Sequence, residues 1–272
     1  MVKNYTPKSL DEALELMKNN ELVPFAGGTD LMVKNDESLN YIYLYKIPEL
    51  KKVYKEDSYL KLGAASTFTE LIENKLIPEI LRDALKKIAA PAIRNFGTIG
   101  GNIGNGSSKA DSVLIFMVLD AYIKVQSKNN ERVIPIKDFY KGNKKLDLNK
   151  DELITEIWLP EKEYTNYVYE KVGARQALAI SRVDFAGIID IEDNIIKHIA
   201  VAIGAIEDLI IRRPDIDNLL IGKTIEEAKS LKEEYLNKYS EAINPRAGRV
   251  SVEYRKDVSM NFLNYFLESK GI

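Results

Sequence analysis

Apolar and polar residues recur along the first part of the chain with the spacing of one helix and two short strands. Residues 9–12 read Ser-Leu-Asp-Glu, which has the form of a helix capping box, and a helical apolar stripe follows at Leu10, Ala13, Leu14 and Met17. Residues 22–26 and 42–45 are short apolar stretches, which are typical of buried strands. This pattern predicts a compact α/β unit over residues 1–55.

A second region, residues 56–165, again combines apolar residues at helical spacing with apolar residues at strand spacing. Residues 59–65 alternate as a strand does, and Thr67 and Glu70 have the spacing of another capping box. We predict two further helices, at residues 81–88 and 111–120, and strands at residues 122–126, 132–134 and 153–159. This region is therefore expected to form a second α/β lobe.

The pattern changes to longer strands in a third region, residues 166–272. Strands are predicted at residues 167–172, 183–190 and 195–206, with a turn at residues 192–194, and amphipathic helices at residues 224–239 and 254–267. The whole chain is thus expected to be an α+β protein, with two α/β lobes and a C-terminal antiparallel sheet covered by helices.

The charge composition excludes several classes of protein. The 272 residues carry a net charge of −2, with 39 basic and 41 acidic side chains interspersed, which argues against a nucleic-acid binder. The longest apolar runs, such as residues 113–119, are too short to span a membrane. Because no apolar signal segment follows the N-terminal Met-Val-Lys, we expect a cytoplasmic protein.

The chain has no cysteine and one histidine, His198. This composition excludes disulfides, thiolate catalysis and any iron–sulfur cluster held by the chain's own thiolates. A single histidine cannot build a histidine metal site. We therefore predict no metal site and no catalytic side chain, and expect the chemistry to come from a bound cofactor.

Two glycine-rich turns are the most informative motifs: Ala26-Gly27-Gly28-Thr29-Asp30 and Thr98-Ile99-Gly100-Gly101-Asn102. Paired glycines allow a positive φ and a close approach of main chain to ligand, and successive free N–H groups form a nest that suits a diphosphate. The G-x-G-x-x-G pattern of a Rossmann fold and the G-x-x-x-x-G-K-[ST] pattern of a P-loop are both absent. The two turns together predict one dinucleotide gripped from two sides.

These turns resemble the flavin loops of a known family. Residues 25–31 (FAGGTDL) are similar to the first flavin loop of the FAD subunits of molybdenum hydroxylases, the xanthine dehydrogenase and carbon monoxide dehydrogenase group. Residues 97–103 (GTIGGNI), followed by Asp111-Ser112, resemble the second loop in order and spacing. Residues 152–154, 170–175 and 251–255 continue the resemblance, which covers essentially the whole chain.

The resemblance implies a fold, a cofactor and a set of contacts. The fold would be a vanillyl-alcohol-oxidase-like (PCMH-type) FAD-binding domain of two α/β lobes, followed by the C-terminal sheet and helices. Asp111 would lie at the ribose or diphosphate end, and Leu153, Ile154 and Lys171 would lie near the adenine or flavin rings. Ile93 would also line the pocket, and Ser107, which keeps its place in the second loop, would also bind the cofactor. The main chain of both loops would hold the diphosphate: Phe25, Ala26, Gly27, Gly28, Thr29, Asp30 and Leu31 in the first, and Thr98, Ile99, Gly100, Gly101 and Asn102 in the second.

The resemblance also implies an electron-transfer function. A large molybdopterin chain would hydroxylate a substrate such as xanthine or another purine. Electrons would pass through [2Fe–2S] clusters on a small chain to the FAD of this chain, and then to NAD⁺ or another acceptor. Because no His or Cys lies near either glycine turn, a non-covalent flavin is expected. Two alternatives stay open, namely a self-sufficient FAD-dependent oxidase or reductase of the same fold and a non-catalytic nucleotide-binding protein.

Overall fold

The computed structural model describes residues 2–34, 36–176 and 178–272. The helices are α1 (Leu10–Asn19), α2 (Leu31–Lys34), α3 (Phe68–Glu73), α4 (Glu79–Lys86), α5 (Pro91–Arg94), α6 (Ile99–Gly104), α7 (Asp111–Val118), α8 (Ile136–Phe139), α9 (Pro214–Asp217), α10 (Ile225–Ala242) and α11 (Val252–Ser269). The strands are β1 (Val23–Phe25), β2 (Tyr41–Tyr43), β3 (Val53–Glu56), β4 (Tyr59–Gly63), β5 (Tyr122–Gln126), β6 (Glu131–Pro135), β7 (Tyr140–Gly142), β8 (Lys145–Leu146), β9 (Leu153–Pro160), β10 (Tyr167–Val172), β11 (Val183–Glu192), β12 (Ile195–Gly204) and β13 (Ile211–Arg212). None of the helices among the described residues has the length and apolar character needed to cross a bilayer.

The chain forms two compact units that interleave along the sequence. Unit 1 comprises Met1–Ile77, Ala89–Ser107 and Asp120–Lys162, and unit 2 comprises Pro78–Ile88, Ser108–Leu119 and Glu163–Ile272. The predicted mixture of helices and strands is confirmed. The predicted division of the chain at residues 55 and 165 stays a prediction.

Unit 1 contains two sheets that differ in direction. Strands β1 and β2 pair in parallel, and α1 packs its apolar stripe into the adjoining core. As its capping box predicts, α1 begins with the Ser9 side chain accepting a hydrogen bond from the Glu12 amide. The larger sheet has the order β3-β4-β9-β5-β6 and is antiparallel throughout.

Unit 2 is built on an antiparallel sheet of order β10-β11-β12-β13, as the long strands predicted. Helices α7 and α11 pack against this sheet, and α10 packs against α11. All eight residues of α7 are buried, including its first residue, Asp111. The predicted strand at residues 195–206 stops at Gly204 because Ala205 turns the chain with a φ of +64°.

A buried polar cluster centred on Asp217 connects α9, α10 and the sheet of unit 2. The carboxylate accepts hydrogen bonds of 2.7 Å from the hydroxyls of Tyr235 and Tyr239, and it is paired with the guanidinium of Arg212. Burial raises the pKa of Asp217, although Arg212 and the two hydroxyls act in the opposite direction. This cluster satisfies polar groups that the core of unit 2 would otherwise leave unpaired.

We expect Asp217→Ala to lower the free energy of unfolding by about 3–5 kcal/mol, because it removes the buried carboxylate that one guanidinium and two buried hydroxyls share. Asp215→Ala is the matched control, since Asp215 lies on the same short helix and pairs with Arg213 at the surface. The control should cost less than about 1 kcal/mol. Urea unfolding of both variants measures the difference, and equal losses would show that the Asp217 cluster contributes nothing beyond a surface ion pair.

Candidate functional site

The first glycine turn connects β1 to α2 in unit 1. Gly28 has a φ of +69°, so the predicted positive φ is present at this position. A Cβ at Gly28 would lie 2.1 Å from the ring of Phe25, and a Cβ at Gly27 would lie 1.7 Å from the carbonyl oxygen of Phe96. Both glycines are therefore required by the packing of the protein itself, and the turn is pressed against the segment that precedes the second turn.

The amides of the first turn are open. Within the described part of the chain, the N–H groups of residues 27–30 donate to no protein acceptor. The turn is half-buried apart from the exposed Asp30, and Phe25 packs edge-on against Tyr43 with ring centroids 5.0 Å apart. Consecutive free N–H groups on a turn that packs against the protein form a site suited to an anionic group.

The second glycine turn differs from the prediction. Residues 99–104 form α6, with Thr98 as its N-cap, and neither Gly100 nor Gly101 has a positive φ. The amides of Ile99, Gly100 and Gly101 already donate to the carbonyls of Ser66 and Ala64 and to the Thr98 hydroxyl, respectively. The expectation of an open nest here is therefore wrong for these three amides.

Close packing explains the first glycine of this pair. A Cβ at Gly100 would lie 2.6 Å from the Cβ of Ala64, so α6 can rest against the end of β4 only without a side chain there. Gly101 and Gly104 are exposed on α6. The second turn thus presents a short helix with a bare glycine surface.

The remaining predicted contacts of unit 1 have different surroundings. Leu153 is 2% exposed and packs in the core beside α1, so its side chain offers no surface to a ligand. Ile154 is half-buried and lies beside Gly104, since a Cβ added at Gly104 would lie 3.8 Å from Ile154 Cδ1. Ile93 is 43% exposed on α5, and Ser107 is half-buried. Ile154 is thus the predicted apolar contact that the structure brings to α6.

Two predicted residues meet in unit 2. Lys171 on β10 pairs with Asp111 at the start of α7, with 2.6 Å between Nζ and Oδ2, and both side chains are almost fully buried. The hydroxyl of Ser181 donates to Asp111 Oδ1 at 2.6 Å, and Lys171 also donates to the carbonyl of Lys87 at 3.1 Å. A buried ion pair with extra hydrogen bonds holds its side chains in one arrangement.

Sequence reasoning missed a third ionisable residue at this cluster, Asp184 on β11. It is fully buried, and neither of its carboxyl oxygens has a hydrogen-bond donor among the described residues. Burial, followed by the neighbouring Asp111 carboxyl, raises the pKa of Asp184 well above its ordinary value, while Lys171 acts in the opposite direction. The position reads as an ordinary strand residue in the sequence, and its neighbours come from distant segments.

Tyr169 completes the cluster from β10. Its hydroxyl is buried without a hydrogen-bond partner in the described residues. Burial and the nearby carboxyls of Asp111 and Asp184 raise the pKa of this hydroxyl. The Lys87 ammonium lies 4.7 Å from the centre of the Tyr169 ring. The cluster therefore contains two acids, one directly paired lysine and a neutral phenol.

Comparisons with known proteins find matches along nearly the whole chain. The profile of the FAD binding domain in molybdopterin dehydrogenase matches residues 1–162, and that of the CO dehydrogenase flavoprotein C-terminal domain matches residues 168–269. The xanthine dehydrogenase FAD-binding subunit of Escherichia coli O157:H7 is 31% identical over 72% of this chain and 71% of its own length. The glyceraldehyde dehydrogenase medium chain of Sulfolobus acidocaldarius is 31% identical over 92% of both chains.

Solved structures share the fold. A chain of the carbon monoxide dehydrogenase from Hydrogenophaga pseudoflava, in a form lacking the Mo-pyranopterin moiety of its cofactor, superposes with a TM-score of 0.89 at 23% identity, covering 97% of this chain and 95% of that one. The matched profiles and the relatives agree on the cofactor and on the class of enzyme. The chain therefore belongs to the family of FAD-binding medium subunits of molybdenum-hydroxylase-type dehydrogenases, and it is a subunit of an oxidoreductase that binds FAD.

Proposed function

We propose that this chain takes electrons from [2Fe–2S] clusters on a small partner chain and passes them to NAD⁺ or another acceptor. A large molybdopterin chain would hydroxylate the substrate, for which we propose xanthine or another purine. The E. coli relative, named as a xanthine dehydrogenase subunit, supports this substrate class. The observation that carries the binding part of the proposal is the run of open amides at residues 27–30.

The first glycine turn is the proposed main contact to the FAD diphosphate. Four consecutive N–H groups without protein acceptors offer donors to phosphate oxygens. The contact of Gly27 with the Phe96 carbonyl and of Gly28 with the Phe25 ring fixes the direction of these donors before a ligand arrives. A preorganised site loses less conformational entropy on binding than a flexible one.

The second turn is proposed to contact FAD in another way. Because the amides of Ile99, Gly100 and Gly101 are engaged, α6 would use its exposed glycine surface, with Thr98 and Asn102 at its edges. Ile154 beside Gly104 would add an apolar contact. These residues would let a flat or extended group lie close to the main chain of α6.

In unit 2 the proposed FAD contacts are Asp111 and Lys171. The Lys171 ammonium donates to Asp111 and to the Lys87 carbonyl, which uses two of its three protons and leaves one for a ligand oxygen. The ion pair would keep this donor in a fixed direction. When bound, FAD supplies the exchange between one-electron and two-electron chemistry, and the chain's own residues bind and orient it.

We expect the FAD to be non-covalent. The chain contains no cysteine, and its only histidine, His198, lies on β12 away in sequence from both glycine turns. Acid precipitation should therefore release the yellow chromophore into the supernatant as FAD. Flavin retained in the pellet would contradict this expectation, and FMN in the extract would contradict a diphosphate contact.

Gly28→Ala should lower the affinity for FAD at least about tenfold, because a Cβ at this positive φ would collide with the Phe25 ring and turn the open amides away. Gly222→Ala is the matched control, since Gly222 also has a positive φ, of +80°, but no atom within 4 Å of the added Cβ. Titration of the apoprotein with FAD measures both variants. If Gly28→Ala binds FAD with wild-type affinity, the first glycine turn is not part of the FAD site.

The isolated chain should exchange electrons but hydroxylate nothing. A nicotinamide nucleotide or a chemical reductant should reduce its flavin, which should then pass electrons to an artificial dye. Xanthine and other hydroxylase substrates should give no turnover until molybdenum-containing and iron–sulfur-containing partner chains are added, because this chain has no cysteine to hold a cluster. Substrate oxidation by the chain alone would instead favour a self-sufficient flavin oxidase.

A further inference from the structure

A row of three residues crosses the sheet of unit 2 beneath the start of α7. Lys171 on β10 is the register partner of Asp184 on β11, and Asp184 is in turn the partner of Gly204 on β12. Side chains at paired positions of neighbouring strands lie on the same face of a sheet. A Cβ at Gly204 would lie 2.2 Å from Asp184 Oδ1, so the carboxyl group occupies the space that a side chain at residue 204 would fill.

The groups that face Asp184 provide too few donors for a carboxylate. Asp111 faces it from α7, Lys171 and Tyr169 face it from β10, and the Ser181 hydroxyl lies beside it on the segment before β11. The only proton of the Ser181 hydroxyl is donated to Asp111 Oδ1. The Lys171 ammonium donates to Asp111 Oδ2 and to the Lys87 carbonyl, and among the described residues it makes no hydrogen bond to Asp184. The Lys87 ammonium contacts the cluster through the ring and carbonyl of Tyr169, and the Lys87 main-chain carbonyl accepts a hydrogen bond from Lys171. Two fully ionised acids would therefore share one ammonium group in an almost fully buried cluster.

A proton on Asp184 resolves this deficit. Asp184 lies beside Asp111, and two carboxyl groups that face each other can form a hydrogen bond only if one of them carries a proton. With Asp184 protonated, the cluster holds one carboxylate and one ammonium, so its net charge is zero. An unpaired buried charge would cost far more than a buried neutral acid.

We propose that Asp184 is a positioning residue of the flavin site, standing in the folded protein as a neutral carboxylic acid that donates its proton to the Asp111 carboxylate. Asp111 then accepts from Ser181, Lys171 and Asp184 together, and Lys171 has a single negative partner. The part of this inference that concerns FAD rests on the proposed contact of Asp111 and Lys171 with the cofactor.

The protonation state is tested by Asp184→Asn, which keeps the shape and a donor toward Asp111 but cannot ionise. In the unfolded chain Asp184 ionises above its ordinary pKa of 3.8, whereas in the folded protein it stays protonated to higher pH. The wild type therefore loses stability relative to the variant as the pH rises from about 4 to the pKa of the folded state. The unfolding equilibrium constant of the wild type should grow relative to that of Asp184→Asn by up to about tenfold per pH unit.

Urea unfolding of the full chain with saturating FAD, at several pH values from 5 to 7, measures this ratio. Asp257→Asn is the matched control, since Asp257 is an exposed aspartate on α11 of the same unit. Its ratio to the wild type should be independent of pH. If the ratio of the unfolding equilibrium constants of the wild type and Asp184→Asn is also independent of pH, the proposal that Asp184 is protonated in the folded protein is wrong.

The positioning role is tested by the affinity for FAD. Asp184→Asn should bind FAD within about twofold of the wild type, whereas Asp184→Leu, which has no donor, should bind about fivefold more weakly. Wild-type affinity in Asp184→Leu would overturn the positioning role, as would a loss in Asp184→Asn equal to that in Asp184→Leu. If Asp111→Ala also binds FAD normally, the proposed contact of Asp111 with FAD is wrong, and the pH dependence of stability still decides the state of Asp184.

Discussion

The main constraint on unit 2 comes from α7, a fully buried helix whose first residue, Asp111, carries a carboxyl group. The seven residues after Asp111 on α7 bury their side chains, so the helix can form only with Asp111 out of water as well. The charge then requires partners, which β10 and the segment before β11 supply as Lys171 and Ser181. Lys171 meets Asp111 at the point where β10 pairs with β11 through Asp184.

Much of the architecture could be predicted from local sequence patterns. The N-caps Ser9 and Thr67 mark the starts of α1 and α3, since each cap depends on residues within one helical turn. The structure of the glycine pair at residues 100–101 was harder to predict, because the same residues occur both in open turns and at the start of helices. What decides between them is the approach of Ala64, which lies in another segment of the chain.

The candidate site could be predicted only in part, for the same physical reason. Family resemblance pointed to Asp111 and Lys171 individually, but their pairing depends on a contact between a helix and a strand 60 residues apart in sequence. Asp184 carried no signal at all, since β11 also contains Asp190 and Glu192 and an acid on a strand is normally a surface residue. Its burial becomes visible only when Gly204 is seen to leave room for its carboxyl group.

The contact between Gly27 and the carbonyl of Phe96 also limits how the chain can vary. The atom that excludes a side chain at residue 27 belongs to the main chain, and every amino acid at residue 96 would carry the same carbonyl oxygen. No compensating substitution at residue 96 can therefore create room at residue 27. The Phe96 side chain, by contrast, is 65% exposed and is free to change. Gly27 and Phe96 are in direct contact but differ in their tolerance to mutation, since position 27 admits no side chain whereas position 96 admits most.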